Sequence, residues 1–287
     1  MSDTGIGASL LRETDLASPA SRRAPRLSSN ARRVAVRVAS TAACVLLWHV
    51  CASHKLDLGI VDFRNVPPPG DVLEASVQFI RSTKFLFHVR SSLLRVTAGL
   101  ALASLSGVAL GLAMGRSKLV SDVASGPLEL LRPIPAVAWV PLAILMFPSS
   151  ELSMIFITYV GALFPIVLNT IHGVESIDGR LIDVSRSLGA SNRSIFLEVI
   201  LPGAMPSIVT GVSIGTGTAW FCLVTAEMIA GQYGIGYYTW ESYNLQIYPN
   251  IVVGMVFIGV FGLLSSVLVK RMGGWLMPWE RVGYKAS

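Results

Sequence analysis

Residues 183–202 read DVSRSLGASNRSIFLEVILP, from Asp183 to Pro202, and form a polar, basic island between long apolar segments. Upstream of Gly189, the residues Ile177, Leu181, Val184 and Leu188 recur at helical spacing on one face. Arg180, Asp183 and Arg186 fall on the other face. Gly189 stands where such a helix would stop, because glycine takes the left-handed closing conformation without a Cβ penalty. Ser191 is placed to cap a second helix, its hydroxyl accepting from a free backbone N–H of the first turn. The apolar residues of that second helix are Ile195, Phe196, Val199 and Ile200. Pro202 and Pro206 are expected to limit it and to turn the chain toward the next apolar run. The expected shape is an elbow of two short amphipathic helices, held at a membrane surface and suited to a groove on a soluble partner.

The chain around this elbow is apolar. Of 287 residues, 52% are hydrophobic and 14% charged, and the mean hydropathy is +0.61. Soluble domains carry roughly a quarter of charged residues. The deficit, together with apolar runs of about twenty residues, predicts an all-α, polytopic membrane protein. The net charge of +6 raises the question of a nucleic-acid partner. Most Lys and Arg fall in loops expected to face the cytoplasm, so the charge reads as an orientation signal and no nucleic acid is expected. Cys44, Cys51 and Cys222 lie in apolar segments and show neither a disulfide framework nor a zinc spacing. They are expected to be small buried hydrophobes.

Six membrane spans are predicted. Residues 1–33 are rich in Ser, Ala, Arg and Pro and are expected to be a disordered cytoplasmic tail. Arg22, Arg23, Arg26, Arg32 and Arg33 crowd before the first span, 34–52. An external connection follows to about 84, containing PPPG (67–70) and a short amphipathic helix at 71–82. A core of 85–274 holds the other five spans, near 91–114, 123–147, 152–171, 206–230 and 250–270, with the cytoplasmic loop 172–205 between the fourth and fifth. Residues 275–287 form a second cytoplasmic tail. Gly107 and Gly111 make a small-xxx-small pair on the second span, which permits close helix contact in lipid. Arg95, near the outer end of that span, is placed to snorkel. Pro127, Pro133, Pro135 and Pro141 break the third span, and Gly161 and Pro165 break the fourth. Irregular backbone at membrane depth is tolerated where protein or a water-filled cavity satisfies it. Arg132 lies in that broken region, facing either a cavity or the cytoplasmic rim. His172 is expected at the surface.

The elbow resembles the "EAA" loop of the membrane subunits of bacterial ABC importers. Asp183, Val184 and Ser185 stand at the Glu-Ala-Ala positions, Gly189 at the glycine, Val199 at the isoleucine, and Leu201-Pro202 at the Leu-Pro. The spacing is intact; of the opening triplet only the acidic charge survives. The wider SLGASNRSIFLEVILPGAMPSIVTG, with LRPIPAVAWVPLAI (131–144) and TAWFCLVTAEMIA (218–230), is similar to the nitrate, sulfonate, taurine and bicarbonate branch. The resemblance covers about residues 85–280 and implies a type I importer permease fold in the bacterial inner membrane, both termini cytoplasmic. It implies a homodimer whose elbows dock on ABC ATPase subunits through Asp183, Val184, Ser185, Leu188, Gly189, Ala190, Ser191, Val199, Leu201 and Pro202. A periplasmic binding protein would deliver a small anion, such as a sulfonate, taurine, nitrate or bicarbonate. ATP would be used by the partner, with no cofactor or metal bound by this chain.

Three residues are candidates for the translocation pathway: Arg132, Trp220 and Glu227. Glu227 follows some twenty residues of the fifth span, which puts it near the external face. It either lines the outer vestibule or pairs with an arginine such as Arg95. Trp220, deeper by up to two turns, reads as packing or as part of a gate. GQYGIGYY (231–238) looks superficially like a potassium filter, but it follows a span without a pore helix and reads as a Gly-rich external turn. No phosphate-cradling G-x-x-x-x-G-K-[ST] loop is present, so the chain does not hydrolyse ATP by that mechanism. No catalytic Ser-His-Asp set is credible, and an enzyme is not expected. The alternative is a secondary transporter driven by an ion gradient. It would show inverted repeats and intramembrane relays, of which Glu227 is the one plausible member.

Overall fold

The computed structural model describes residues 29–279, apart from 58 and 61, with side chains from 32 onward. The expectations for the tail up to residue 28, with Arg22, Arg23 and Arg26, and for the tail beyond 279 lie outside the described residues. The regular elements there are helices: α1 (Ser29–Ser53), α2 (Pro69–Arg81), α3 (Phe85–Arg116), α4 (Lys118–Leu131), α5 (Val140–Met146), α6 (Ser150–Glu175), α7 (Gly179–Ser187), α8 (Asn192–Ile195), α9 (Leu201–Ala230), α10 (Ile235–Asn244) and α11 (Tyr248–Leu276). Ala136–Trp139 is a 3₁₀ turn and Phe196–Ile200 a π turn. Among the described residues five helical stretches are long and apolar enough to cross a membrane, or six if the bent pair of α4 and α5 is one span.

Two compact units divide at Trp48 and His49. The first is most of α1. Its Val34, Val36, Val38, Leu46 and Leu47 are all exposed, as the apolar side chains of a lipid-facing span would be. Cys44 is exposed there and Cys51 half-buried. Only Cys222 is the buried hydrophobe expected of all three. Helix α1 also begins at Ser29, inside the stretch expected to be disordered. Arg32 and Arg33 are good helix formers, and elongating an existing helix costs little beside nucleating one.

In the second unit, α6 packs along both α3 and α9. The core between them holds Val96, Ala103, Met154, Ile157, Ala162, Ile166, Ala219, Trp220 and Leu223. Small residues on α3 make the close approach possible. Gly99, Gly107, Gly111 and Gly115 lie against Thr158, Ile166, Thr170 and Val174 of α6, in step every four or eight residues. A Cβ at Gly111 would fall 2.6 Å from the Thr170 Cβ. The expected Gly107–Gly111 pair is thus the middle of a longer ridge.

Proline positions produce the largest departures from expectation. The third span is a bent pair, α4 and α5 with its 3₁₀ turn, meeting at 84°. The break falls at Pro133 and Pro135, whereas Pro127 sits inside α4 and Pro141 opens α5, where its missing N–H costs nothing. The fourth span is not broken: α6 runs 26 residues through Gly161 and Pro165. Its buried faces against α3 and α9 outweigh the lost hydrogen bond. Pro202 and Pro206 do not stop the second elbow helix either, because Asn192–Ala230 forms one stretch of 39 residues. The π turn lies directly before Pro202, and Leu201 N–H bonds back to the Phe196 carbonyl across it. A π turn is wider than an α turn, which gives the proline ring room. Helices α3 and α11 also overrun the spans predicted for them, and α10 occupies part of the expected external turn.

Candidate functional site

The elbow is built from caps. Asp178 opens α7, its carboxylate accepting from the Arg180 N–H at 2.9 Å. At the other end Gly189 adopts φ +81°. Its N–H bonds the Arg186 carbonyl at 2.9 Å, and the Ala190 N–H bonds that of Ser185 at 3.0 Å. This pair of bonds is the Schellman closure, which satisfies carbonyls the helix end would leave free. Ser191 then caps α8, its Oγ accepting from the Ser194 N–H at 3.1 Å.

The two arms of the elbow are held differently. Ile195 and Ile200 are buried with Val174, Ala204 and Ile208, and Ile177, Ile182, Ala190, Phe196 and Leu201 pack against them. Ile195 and Ile200 are five apart, and the π turn brings them to one face; from Ile200 the burial continues at four-residue steps through Ala204 and Ile208. Helix α7 contributes less. Leu181, Val184 and Leu188 stand 56%, 57% and 82% exposed as an apolar stripe. Asp183 is exposed and lies 3.8 Å from Arg186. Ser185 turns its hydroxyl onto the Leu181 carbonyl. Val199, Leu201 and Pro202 are half-buried, on the arm fixed to the bundle.

The pathway candidates separate. Arg132 caps the C-terminus of α4 and is exposed. It borders a cavity of about 270 Å³ lined also by Pro135, Gly161, Phe164, Thr218 and Cys222. Trp220 is buried, stacks on Phe261 with centroids 6.4 Å apart, and donates its indole N–H to Ser265 Oγ at 3.1 Å. Such contacts are those of a packed core residue.

Glu227 lies at the opposite end of α9 from the elbow and is fully buried. Its carboxylate accepts from Ser92 Oγ at 2.7 Å, from Arg95 Nη1 at 2.9 Å and from the Gly236 N–H at 2.9 Å. Arg95 does not snorkel: it is 2% exposed. It donates Nη1 to the Tyr233 carbonyl, and Nε and Nη2 to the two carboxylate oxygens of Glu151, at 2.7 and 2.5 Å. A buried arginine is retained when ion pairs and hydrogen bonds replace its hydration, and here they do. The turn 231–236 wraps this cluster. Gly234 has φ +131°, and a Cβ there would fall 2.3–2.5 Å from the Glu227 carboxylate atoms. Ser92 Oγ accepts from the Ile235 N–H, and His88 Nδ1 lies 2.9 Å from the Gly234 carbonyl. Beside it Tyr238 stacks on Phe79 at 4.0 Å, and burial pushes its hydroxyl up to about 12.

Ser92, Glu151, His88 and Gly236 were not singled out in the sequence. Ser92 and Glu227 are 135 positions apart, and an acid in the first turn of a helix, as Glu151 is in α6, is ordinary on helix-dipole grounds.

Comparison with known proteins bears on both ends of the bundle. The family described as binding-protein-dependent transport system inner membrane component matches residues 106–282, which include the elbow and Glu227. A Methanocaldococcus jannaschii protein named as an ABC transporter permease is 37% identical over 255 residues, 88% of this chain and 95% of that one. The nitrate import permease protein NrtB of Synechocystis is 31% identical, over 84% of this chain and 88% of its own. The taurine transport system permease protein TauC of Escherichia coli is 31% identical, over 87% and 91%. On that coverage the chain belongs to the binding-protein-dependent transport system inner membrane component family, as a multi-pass membrane permease of the ABC transporter class and not an enzyme.

Proposed function

We propose that this chain forms the translocation pathway of an ABC importer for a small oxyanion, and that its elbow carries the force of a cytoplasmic ATPase. The observation that carries the reading is the exposed stripe of Leu181, Val184 and Leu188 on a helix closed by Gly189. Exposed leucines at the polar end of a membrane bundle fit a protein groove, the helix-in-groove mode of recognition. The second arm is fixed to the bundle through Ile195 and Ile200, so a push on α7 has a route into α9. Two permeases of like kind would pair around the pathway, with lipid outside and one ATPase on each elbow. ATP is bound and hydrolysed by the ATPase. A substrate-binding protein would deliver its ligand at the opposite end, near Glu227. The substrate class follows the nitrate and taurine named for the relatives.

The test separates insertion from docking. Gly189→Val places a branched side chain at positive φ, where the backbone strain is about 1–2 kcal/mol or more. No heavy atom lies within 4 Å of a Cβ there, so the effect is conformational and not a clash within the chain. The variant is expected to insert normally, fail to co-purify with the ATPase and lose substrate-stimulated ATP hydrolysis. Normal co-purification and transport would remove the elbow from the coupling path.

A further inference from the structure

We propose that the Nε–Nη2 edge of Arg95 is a binding subsite for an oxyanion, occupied in this structure by the carboxylate of Glu151 as an intramolecular stand-in. The inference deepens the anion-import reading and rests on it for the choice of ligand. Arg95 has two kinds of carboxylate partner. Glu227 is fully buried, and Ser92 and the Gly236 N–H hold it independently of the arginine. It is a permanent counter-ion. Glu151 is different: it takes both oxygens to one guanidinium edge, at 2.7 and 2.5 Å, yet its side chain is 61% exposed. No further partner of its carboxylate is seen among the described residues.

The chemistry of that edge is selective. Two parallel N–H donors in one plane match two oxygens on one central atom, as in carboxylate, bicarbonate, nitrate or sulfonate. A spherical anion fits that edge less well, because both bonds must converge on one atom. Exchange also leaves the charge seated against the guanidinium unchanged, the displaced Glu151 carboxylate moving out to water. With Glu151 seated, the cluster of Arg95, Glu227 and Glu151 carries one net negative charge when both acids are ionised; with a monovalent oxyanion in its place, the buried group carries the same. The exchange swaps one solvent-exposed acceptor for another and leaves the Arg95–Glu227 pair and the clamped turn intact. The covering side chain swings from the first turn of α6, where Ser149 caps the helix without its help. Glu151 therefore acts as a competitor that empties the subsite when no oxyanion is supplied at high local concentration.

The test uses the full permease in lipid nanodiscs, without ATPase or binding protein, so its outcome does not depend on coupling at the elbow. Calorimetric titration with sodium nitrate and with sodium methanesulfonate is compared with sodium chloride for wild type, Glu151→Ala and Glu151→Ala/Arg95→Lys. Removing the competitor is expected to tighten nitrate or methanesulfonate binding at least tenfold over wild type, with a clearly smaller gain for chloride. Adding Arg95→Lys keeps the charge but removes the fork, and is expected to abolish the gain. The Glu151 side chain is mostly exposed, so the single variant is expected to fold and decides alone if the double one does not. Equal oxyanion affinity in wild type and Glu151→Ala would overturn the subsite, as would a gain for chloride as large as that for the oxyanions or a gain kept by Arg95→Lys. Import by the complete transporter alongside such a result would sink the subsite and leave the proposed function standing.

Discussion

Gly189 and Gly234 both require positive φ, at +81° and +131°, and their surroundings make them unequal. Alanine at Gly189 meets open space, so it should cost only the backbone strain, about 1–2 kcal/mol. Alanine at Gly234 places its Cβ on the Glu227 carboxylate. It should therefore cost more and disturb the ion pair with Arg95, whose breakage in a buried setting is worth roughly 3–5 kcal/mol. Thermal unfolding of the two variants in detergent checks the ranking; equal losses would mean that the turn relaxes away from Glu227. Arg132 allows a second comparison. If its charge serves the cavity beside Gly161 and Cys222, Arg132→Ala should lower transport severalfold with the protein still in the membrane, and transport at the wild-type rate would dismiss that role. Arg132→Lys should be silent if the residue is a rim anchor, because lysine also reaches water. Residues whose roles rest on local chain geometry were readable in advance: Gly189 closes a helix and Ser191 caps one, and both follow from short-range spacing. The partners of Arg95 were not, because Glu151 and Glu227 are 56 and 132 positions away from it. Only the fold decides which acids meet that guanidinium.

Helices were legible by their apolar length, and their ends and breaks were not. A proline read alone predicts a break, yet Pro165 sits inside an unbroken α6 and Pro202 follows a π turn that accommodates it. Burial on two sides decides such cases, and burial is a property of the neighbours. The π turn yields an element-scale prediction. Deleting the exposed Leu197 would restore regular α geometry and still place Ile195 four residues before Ile200. The Pro202 ring would then meet the carbonyl four residues back, at a cost of roughly 3 kcal/mol. The same deletion made in a Pro202→Ala background should escape most of that cost. Chemical denaturation of the four proteins measures the difference; a deletion equally costly in both backgrounds would show that the π turn serves something other than the proline. The α3 ridge gives another. Gly111→Leu would drive a side chain into Thr170, and overpacking of this kind costs about 1–3 kcal/mol or more. Loss of thermal stability without loss of insertion is expected, and an unchanged melting temperature would mean the ridge is not tightly closed.

At the scale of the molecule, the distribution of Lys and Arg predicts that the elbow faces the cytoplasm. With Cys44, Cys51 and Cys222 removed, a cysteine at the exposed Ser191 should resist a membrane-impermeant maleimide in intact cells and react in inverted vesicles. Reaction from outside would reverse the orientation of every span. Composition was sufficient to announce a bundle of spans, but not which three helices form its centre, since the small-residue ridge of α3 means nothing until α6 lies against it. The stretch Asn192–Ala230 is continuous from the elbow to the clamped turn. Thirty-five residues separate Asn192 from Glu227, or about 52 Å at 1.5 Å per residue. A stiff rod of that length behaves as a connecting strut. If the elbow is pushed as proposed, a shift imposed at one end would pass along this backbone, less what the wide turn beside Pro202 absorbs. A single piece of backbone would then join the proposed docking elbow to the clamped turn, and its regular α geometry is interrupted at the wide turn beside Pro202.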